Sequence, residues 1–128
     1  MQERLLTPSK VTAWLDCAHY LSLRNQVDDG LLANPGQPYG SFAKLLADKG
    51  TAHEKDCLAD CLAQGKTVLE IPDRPDRNTF ADWTRRVGNP LNGEWDVVYQ
   101  MPFVHDGMRG IADFLIRVEL PETGAVSY

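Results

Sequence analysis

Two apolar runs rich in β-branched and aromatic residues, 95–104 and 108–118, flank the tripeptide His105-Asp106-Gly107. Asp-Gly between such runs favours a two-residue turn in which both central residues take positive φ, so the segment predicts a β-hairpin. An isolated hairpin is marginal in water and needs a covered face, which commits the chain to a sheet with other elements packed on it. Pro102 has no N–H for a ladder, so the first run is expected at an edge or with a bulge there. Residues 66–71, carrying Val68, Leu69 and Ile71, read as a further short strand closed by Pro72. Glu122-Thr123-Gly124 reads as a turn, and 125–128 as the opening of one more strand.

Helical spacing dominates the first half. Ser9 is the expected N-cap of a helix over 10–24, in which Val11, Trp14, Leu15, Ala18 and Leu21 recur on one face that should dock through Trp14. Asp28-Asp29-Gly30, Asn34-Pro35-Gly36 and Pro38 then mark an exposed loop over 27–39. Ser41 begins the strongest helical pattern, which runs to Gln64 with Gly65 at the expected C′ position. Phe42, Leu45, Leu46, His53, Cys57, Leu58, Cys61 and Leu62 share its apolar face. Gly50, inside that pattern, costs about 1 kcal/mol relative to Ala, so it predicts a break between two helices or a close approach by another backbone. A further helix over 78–87 should carry Phe80 and Trp83 inward, with Arg85 and Arg86 outward. Trp14, Trp83 and Trp95 all lie in apolar patterns and are expected in the core.

A chain of 128 residues with 43% hydrophobic composition and no bilayer-length apolar run fits one soluble domain. Helices over 9–64 precede a sheet-forming part over 66–128. The N-terminus lacks the basic flank, apolar stretch and cleavage site of an export signal. Cys17, Cys57 and Cys61 are odd in number and lack disulfide-framework spacing, so a cytoplasmic location is expected. A net charge of −5 withholds bulk electrostatic help from nucleic-acid binding, which would need a local basic stripe or bound cations. Arg109 and Lys10, with Arg85, Arg86, Arg117 and Lys49, are the candidates for such a stripe.

Asp113 is the principal clue to chemistry. It is a lone carboxylate in Arg109-Gly110-Ile111-Ala112-Asp113-Phe114-Leu115, and a carboxylate in a sheet interior needs pairing, hydrogen bonds or a metal. If the long helix meets this strand, His53 and Glu54 converge on Asp113. A mixed imidazole and carboxylate set suits a divalent ion such as Mg²⁺ or Mn²⁺. The alternative is that His53 is simply a hydrogen-bonded core residue. His53, Cys57 and Cys61 also recur at i, i+4 and i+8, but zinc draws a fourth ligand and usually two elements, so both cysteines are expected to pack in the core.

The order Ser9-Lys10, Leu15, Cys17-Ala18-His19, then Lys49-Gly50-Thr51-Ala52-His53-Glu54, then Tyr99-Gln100, Phe103-Val104-His105-Asp106-Gly107 and Arg109 to Leu115 resembles the N-terminal part of a RecB-like nuclease. Within the restriction-endonuclease-like superfamily it is most similar to bacterial nucleases whose domain is often fused to a helicase. The resemblance implies an α/β fold, a mixed sheet flanked by helices and incomplete at its C-terminal side. It implies phosphodiester hydrolysis in DNA repair or processing, on single strands or duplex ends. His53 matches the helix histidine that ligates metal in the family, Glu54 the acidic residue beside it, and Asp113 the aspartate of the first catalytic strand. His53 and Asp113 are thus the implied metal ligands, and Asp113, His53 and Glu54 the implied catalytic set.

The family's next strand carries an acidic residue, one intervening residue and a lysine, and that motif would begin just beyond Tyr128. The chain alone is therefore expected to bind a divalent ion weakly and to cleave DNA negligibly, because groups acting as a unit fail together. Cys17 matches the first of four cysteines that hold a [4Fe–4S] cluster in many relatives. With the other three expected downstream, it should be a buried apolar thiol here. An unpaired strand edge is expected to favour self-association. The reading from another class is a non-catalytic module that binds nucleic acid or a partner protein on the same scaffold.

Overall fold

The Asp106-Gly107 turn organises the sheet. A computed structural model describes residues 4–36 and 40–128, and in it β2 (Val97–His105) and β3 (Met108–Ile116) form an antiparallel hairpin whose register pairs His105 with Met108 and Val97 with Ile116. Asp106 and Gly107 have φ of 47° and 73°, the left-handed pair that matches the twist of the flanking strands. β1 (Val68–Glu70) joins β2 in parallel, Val68 beside Val97, which gives a mixed sheet in the order β1-β2-β3. A parallel pair needs a long crossover, and α4 (Phe80–Val87) lies in that connection.

Pro102 sits in the central strand and is fully buried, yet β1 pairs only with Val97, Val98 and Tyr99. On its β1 side Pro102 therefore behaves as an edge residue, as a missing donor requires. No residue is inserted opposite it, since the register holds from Val97 to His105. A second sheet pairs β4 (Val118–Glu119) with β5 (Val126–Ser127), and the Tyr128 hydroxyl donates to the Trp95 carbonyl at 2.8 Å.

The core lies between α4 and β2. Ile71, Phe80, Trp83 and Val98 form it, with Leu69, Val87, Leu91, Met101, Val104 and Leu115 packed around them. Phe80 and Trp83 meet edge to face at 5.4 Å, a favourable arrangement of their ring quadrupoles. Thr79 caps α4 by accepting from the Asp82 N–H at 3.1 Å. Asp82 also pairs with Arg85, and the Thr79 bond followed by that guanidinium holds its carboxyl below the usual range. The start of β1 is locked to the start of β2 by a reciprocal box. Asp96 Oδ2 accepts from Thr67 N and Oγ1 at 2.8 and 3.1 Å, while Thr67 Oγ1 accepts from the Asp96 N–H at 3.0 Å.

The N-terminal helix departs from the expected form. Thr7 rather than Ser9 is the N-cap, with Pro8 at the first helical position, and α1 (Pro8–Asp16) ends at Cys17, whose extended φ of −155° breaks the spiral before α2 (Ala18–Asp28). The break rotates the second half of the predicted stripe away from the first, so the two helices pack on each other and leave Trp14 49% exposed. Cys17 is exposed rather than buried for the same reason. The loop after α2 begins at Asp29, and its Pro38 lies outside the described residues.

α3 (Ser41–Ala63) runs unbroken through Gly50, where an added Cβ would meet nothing, so the glycine marks neither a break nor a close approach. Its apolar face is poorly covered: Cys57, Leu58 and Cys61 are half-buried, while Phe42 is 70% exposed. Trp95, too, is at the surface, which leaves Trp83 as the core tryptophan. The fold is mixed α/β, with four helices and two small sheets among the described residues. No helix there is long and apolar enough to cross a membrane.

Candidate functional site

The hydrogen bonds that tie α3 to the sheet both end on Glu54. Its Oε2 accepts from the Tyr99 hydroxyl at 3.1 Å and from the Gln100 amide at 3.2 Å. The same Gln100 Nε2 donates to Asp113 Oδ1 at 3.3 Å. One amide nitrogen therefore bridges a carboxylate on a helix and a carboxylate on a strand.

Hairpin geometry explains the bridge. Tyr99 pairs with Phe114 and Met101 with Ala112, so Gln100 falls opposite Asp113. Gln100 also has φ of 62°, a left-handed conformation that an L side chain rarely adopts inside a strand. The backbone twist lets the neighbouring Tyr99 and Gln100 side chains both reach Glu54, where regular alternation would send them to opposite faces. Tyr99 is braced from below by Phe114, ring centroids 5.0 Å apart. Removal from water, followed by its hydrogen bond to the Glu54 carboxylate, pushes the Tyr99 phenol above its ordinary value of 10.0. The phenol thus keeps its proton and donates a hydrogen bond to Glu54.

The other predicted residues are distributed differently. Asp113 is exposed rather than set in a sheet interior, because α4 packs on β2 and leaves this stretch of β3 open, with Ile111 exposed two residues away. His53 is exposed as well, and its Nε2 lies 3.7 Å from the Cys57 Sγ one turn along the same helix. A step of one residue rotates a helical side chain by about 100°, which is why Glu54 and not its neighbour faces the strands. Lys10 stands 3.9 Å from Asp28, whereas the Arg109 guanidinium carbon lies over Phe80, 4.8 Å from the ring centroid. Tyr99 and Gln100 are the participants that sequence reasoning left without a role, although the turn register places Gln100 across from Asp113.

Two carboxylates aimed at one point are hard oxygen donors of the kind that hold Mg²⁺ or Mn²⁺ while waters complete the shell. Glu54 and Asp113 supply two such groups, and the Gln100 amide nitrogen stands between them. Among the described residues no three His, Cys, Asp or Glu side chains are grouped as a metal site. No family model, curated protein or solved structure matches this chain.

Proposed function

We propose that the chain is the N-terminal part of a RecB-like, metal-dependent DNA nuclease domain, in which Glu54 and Asp113 are the acidic groups of the reaction centre. The supporting observation is the single Gln100 amide at 3.2 and 3.3 Å from the two carboxylates, on separate elements 59 positions apart in the sequence. Glu54 and Asp113 would hold a Mg²⁺ or Mn²⁺ ion, while His53, one residue before Glu54, is turned toward Cys57 on its own helix. When bound, such an ion lowers the pKa of a coordinated water and polarises a phosphoryl oxygen. Tyr99 and Gln100 orient Glu54 through its Oε2, which leaves Oε1 without a partner among the described side chains. Cys17, exposed between α1 and α2, keeps its thiol accessible to the remaining ligands of a [4Fe–4S] cluster in a longer parent, where a helicase domain is the implied neighbour.

The second reading rests on the same amide. A glutamine that satisfies both carboxylates without a cation also serves as a plain clasp between helix and strand, as a non-catalytic binding module would need. Thermal unfolding with and without Mn²⁺ separates the two. The nuclease reading expects the ion to raise the midpoint in the native chain and to lose that effect in both Glu54→Ala and Asp113→Ala. A midpoint indifferent to Mn²⁺ favours the clasp.

A further inference from the structure

His53 and Cys57 form a pair whose chemistry differs from that of the carboxylates. They stand one helical turn apart on α3, a rise of about 6 Å along its axis, and the ring Nε2 faces the Cys57 Sγ at 3.7 Å. His53 is exposed and Cys57 half-buried, so the pair lies at the surface. Cys61 follows one turn further on, but among the described residues no third His, Cys, Asp or Glu joins the two in a metal-sized group.

The separation matches the bite of a metal chelate. Zinc bonds run about 2.0–2.1 Å to an imidazole nitrogen and about 2.3 Å to a thiolate sulfur, so a tetrahedral angle sets the two atoms about 3.5 Å apart. The observed 3.7 Å corresponds to an angle of about 115–120° at the ion. Three ligands spread over two turns of one stripe cannot close on a single ion, whereas two ligands one turn apart can. The donor set also selects the ion. A soft thiolate with an imidazole suits Zn²⁺, Co²⁺ or Cd²⁺ and gives little hold on Mg²⁺ or Mn²⁺. Glu54, about 100° further round the helix, is directed instead to Tyr99 and Gln100.

We infer that His53 Nε2 and Cys57 Sγ chelate a zinc-class ion, with the remaining coordination positions left to water. Cys57 binds as the thiolate and releases its proton to solvent. Two protein ligands make an exchangeable site, since a structural zinc takes four. A bound ion would staple the turn of α3 that follows Gly50, where the helix is exposed. The chelate is independent of the nuclease reading, because it uses neither Glu54 nor Asp113.

The test is absorbance of the full chain titrated with Co²⁺ under a phosphine reductant, because a bound thiolate adds a sulfur-to-cobalt charge-transfer band that carboxylate ligands lack. The band should saturate at one ion per chain and vanish in Cys57→Ser. His53→Ala should weaken Co²⁺ binding by more than about tenfold, since even the outer-shell partners of a ligand are worth about 10–100-fold. Cys17→Ser, Cys61→Ser and Asp113→Asn should each keep the band. Added Zn²⁺ should erase it, and a roughly tenfold excess of Mn²⁺ should not. Because Cys57 is half-buried, circular dichroism checks the fold of Cys57→Ser, and His53→Ala tests the same chelate at an exposed position. No charge-transfer band, a band that survives Cys57→Ser, or Co²⁺ affinity unmoved in His53→Ala overturns the chelate and leaves the 3.7 Å contact a plain thiol–imidazole hydrogen bond. A band lost in Cys61→Ser or displaced by Mn²⁺ overturns it as well. A native chain whose unfolding midpoint ignores Mn²⁺ would sink the nuclease reading and leave the cobalt band in place.

Discussion

Replacing Gln100 separates the strain of its backbone from the work of its side chain. Gln100→Ala removes both amide bonds to the carboxylates while keeping a Cβ at φ of 62°. A hydrogen bond to a charged acceptor contributes about 1.5–3 kcal/mol when sheltered, and partial exposure here brings each closer to about 1 kcal/mol. The alanine variant should therefore lose about 2 kcal/mol. Gln100→Gly loses the same bonds but relieves a left-handed conformation that costs an L-residue roughly 1–2 kcal/mol, against about 0.5–1 kcal/mol of added chain entropy. Glycine should thus be the more stable of the two by about 0.5–1 kcal/mol. Urea unfolding followed by tryptophan fluorescence reads this as a midpoint difference of roughly 0.3–0.5 M for a typical slope near 2 kcal/mol/M. An alanine variant as stable as the native chain, or a glycine variant less stable than alanine, would refute the assignment of Gln100 as a strained bridge.

Two further outcomes follow from the packing and the pKa shifts. Trp83→Ala should cost about 3–5 kcal/mol, because Trp83 is 6% exposed and closes the α4–β2 core; a native urea midpoint would contradict that core. The Asp96 carboxyl is held below its ordinary value of 3.8, first by the Thr67 backbone N–H and then by its hydroxyl. A depressed carboxylate adds stability that is complete above about pH 4 and is lost as pH falls through the lower folded value. Asp96→Asn should therefore flatten the acid limb of a stability profile below about pH 4, and an unchanged limb in circular dichroism would count against the Thr67–Asp96 box.

The hairpin was legible because Asp-Gly is a local signal whose register follows from the turn itself. That register already implied that residue 100 faces residue 113, a pairing open to anyone counting outward from the turn. α3 and α4 were legible from helical spacing, and α3 also from Gly65, which has a positive φ at the helix end. The α1–α2 break was not, because the apolar stripe over 10–24 is continuous in sequence and the extended Cys17 backbone is invisible there. The choice of Glu54 over His53 also escaped sequence reasoning. Which of two adjacent helical residues meets a strand depends on the azimuth of the whole helix, and no local pattern encodes that angle. The apolar face of α3 was read correctly as a pattern but not as a buried surface, since burial depends on a partner and periodicity reports only the stripe.

The proposal that Glu54 and Asp113 share one cation is open to a direct measurement. Mn²⁺ added in substoichiometric steps to the ¹⁵N-labelled chain broadens amide resonances close to the bound ion. Signals around residues 54, 100 and 113 should fade together, and Asp113→Asn should abolish the broadening near residue 54. Broadening confined to other carboxylates, or loss at one of the two elements without the other, would contradict it.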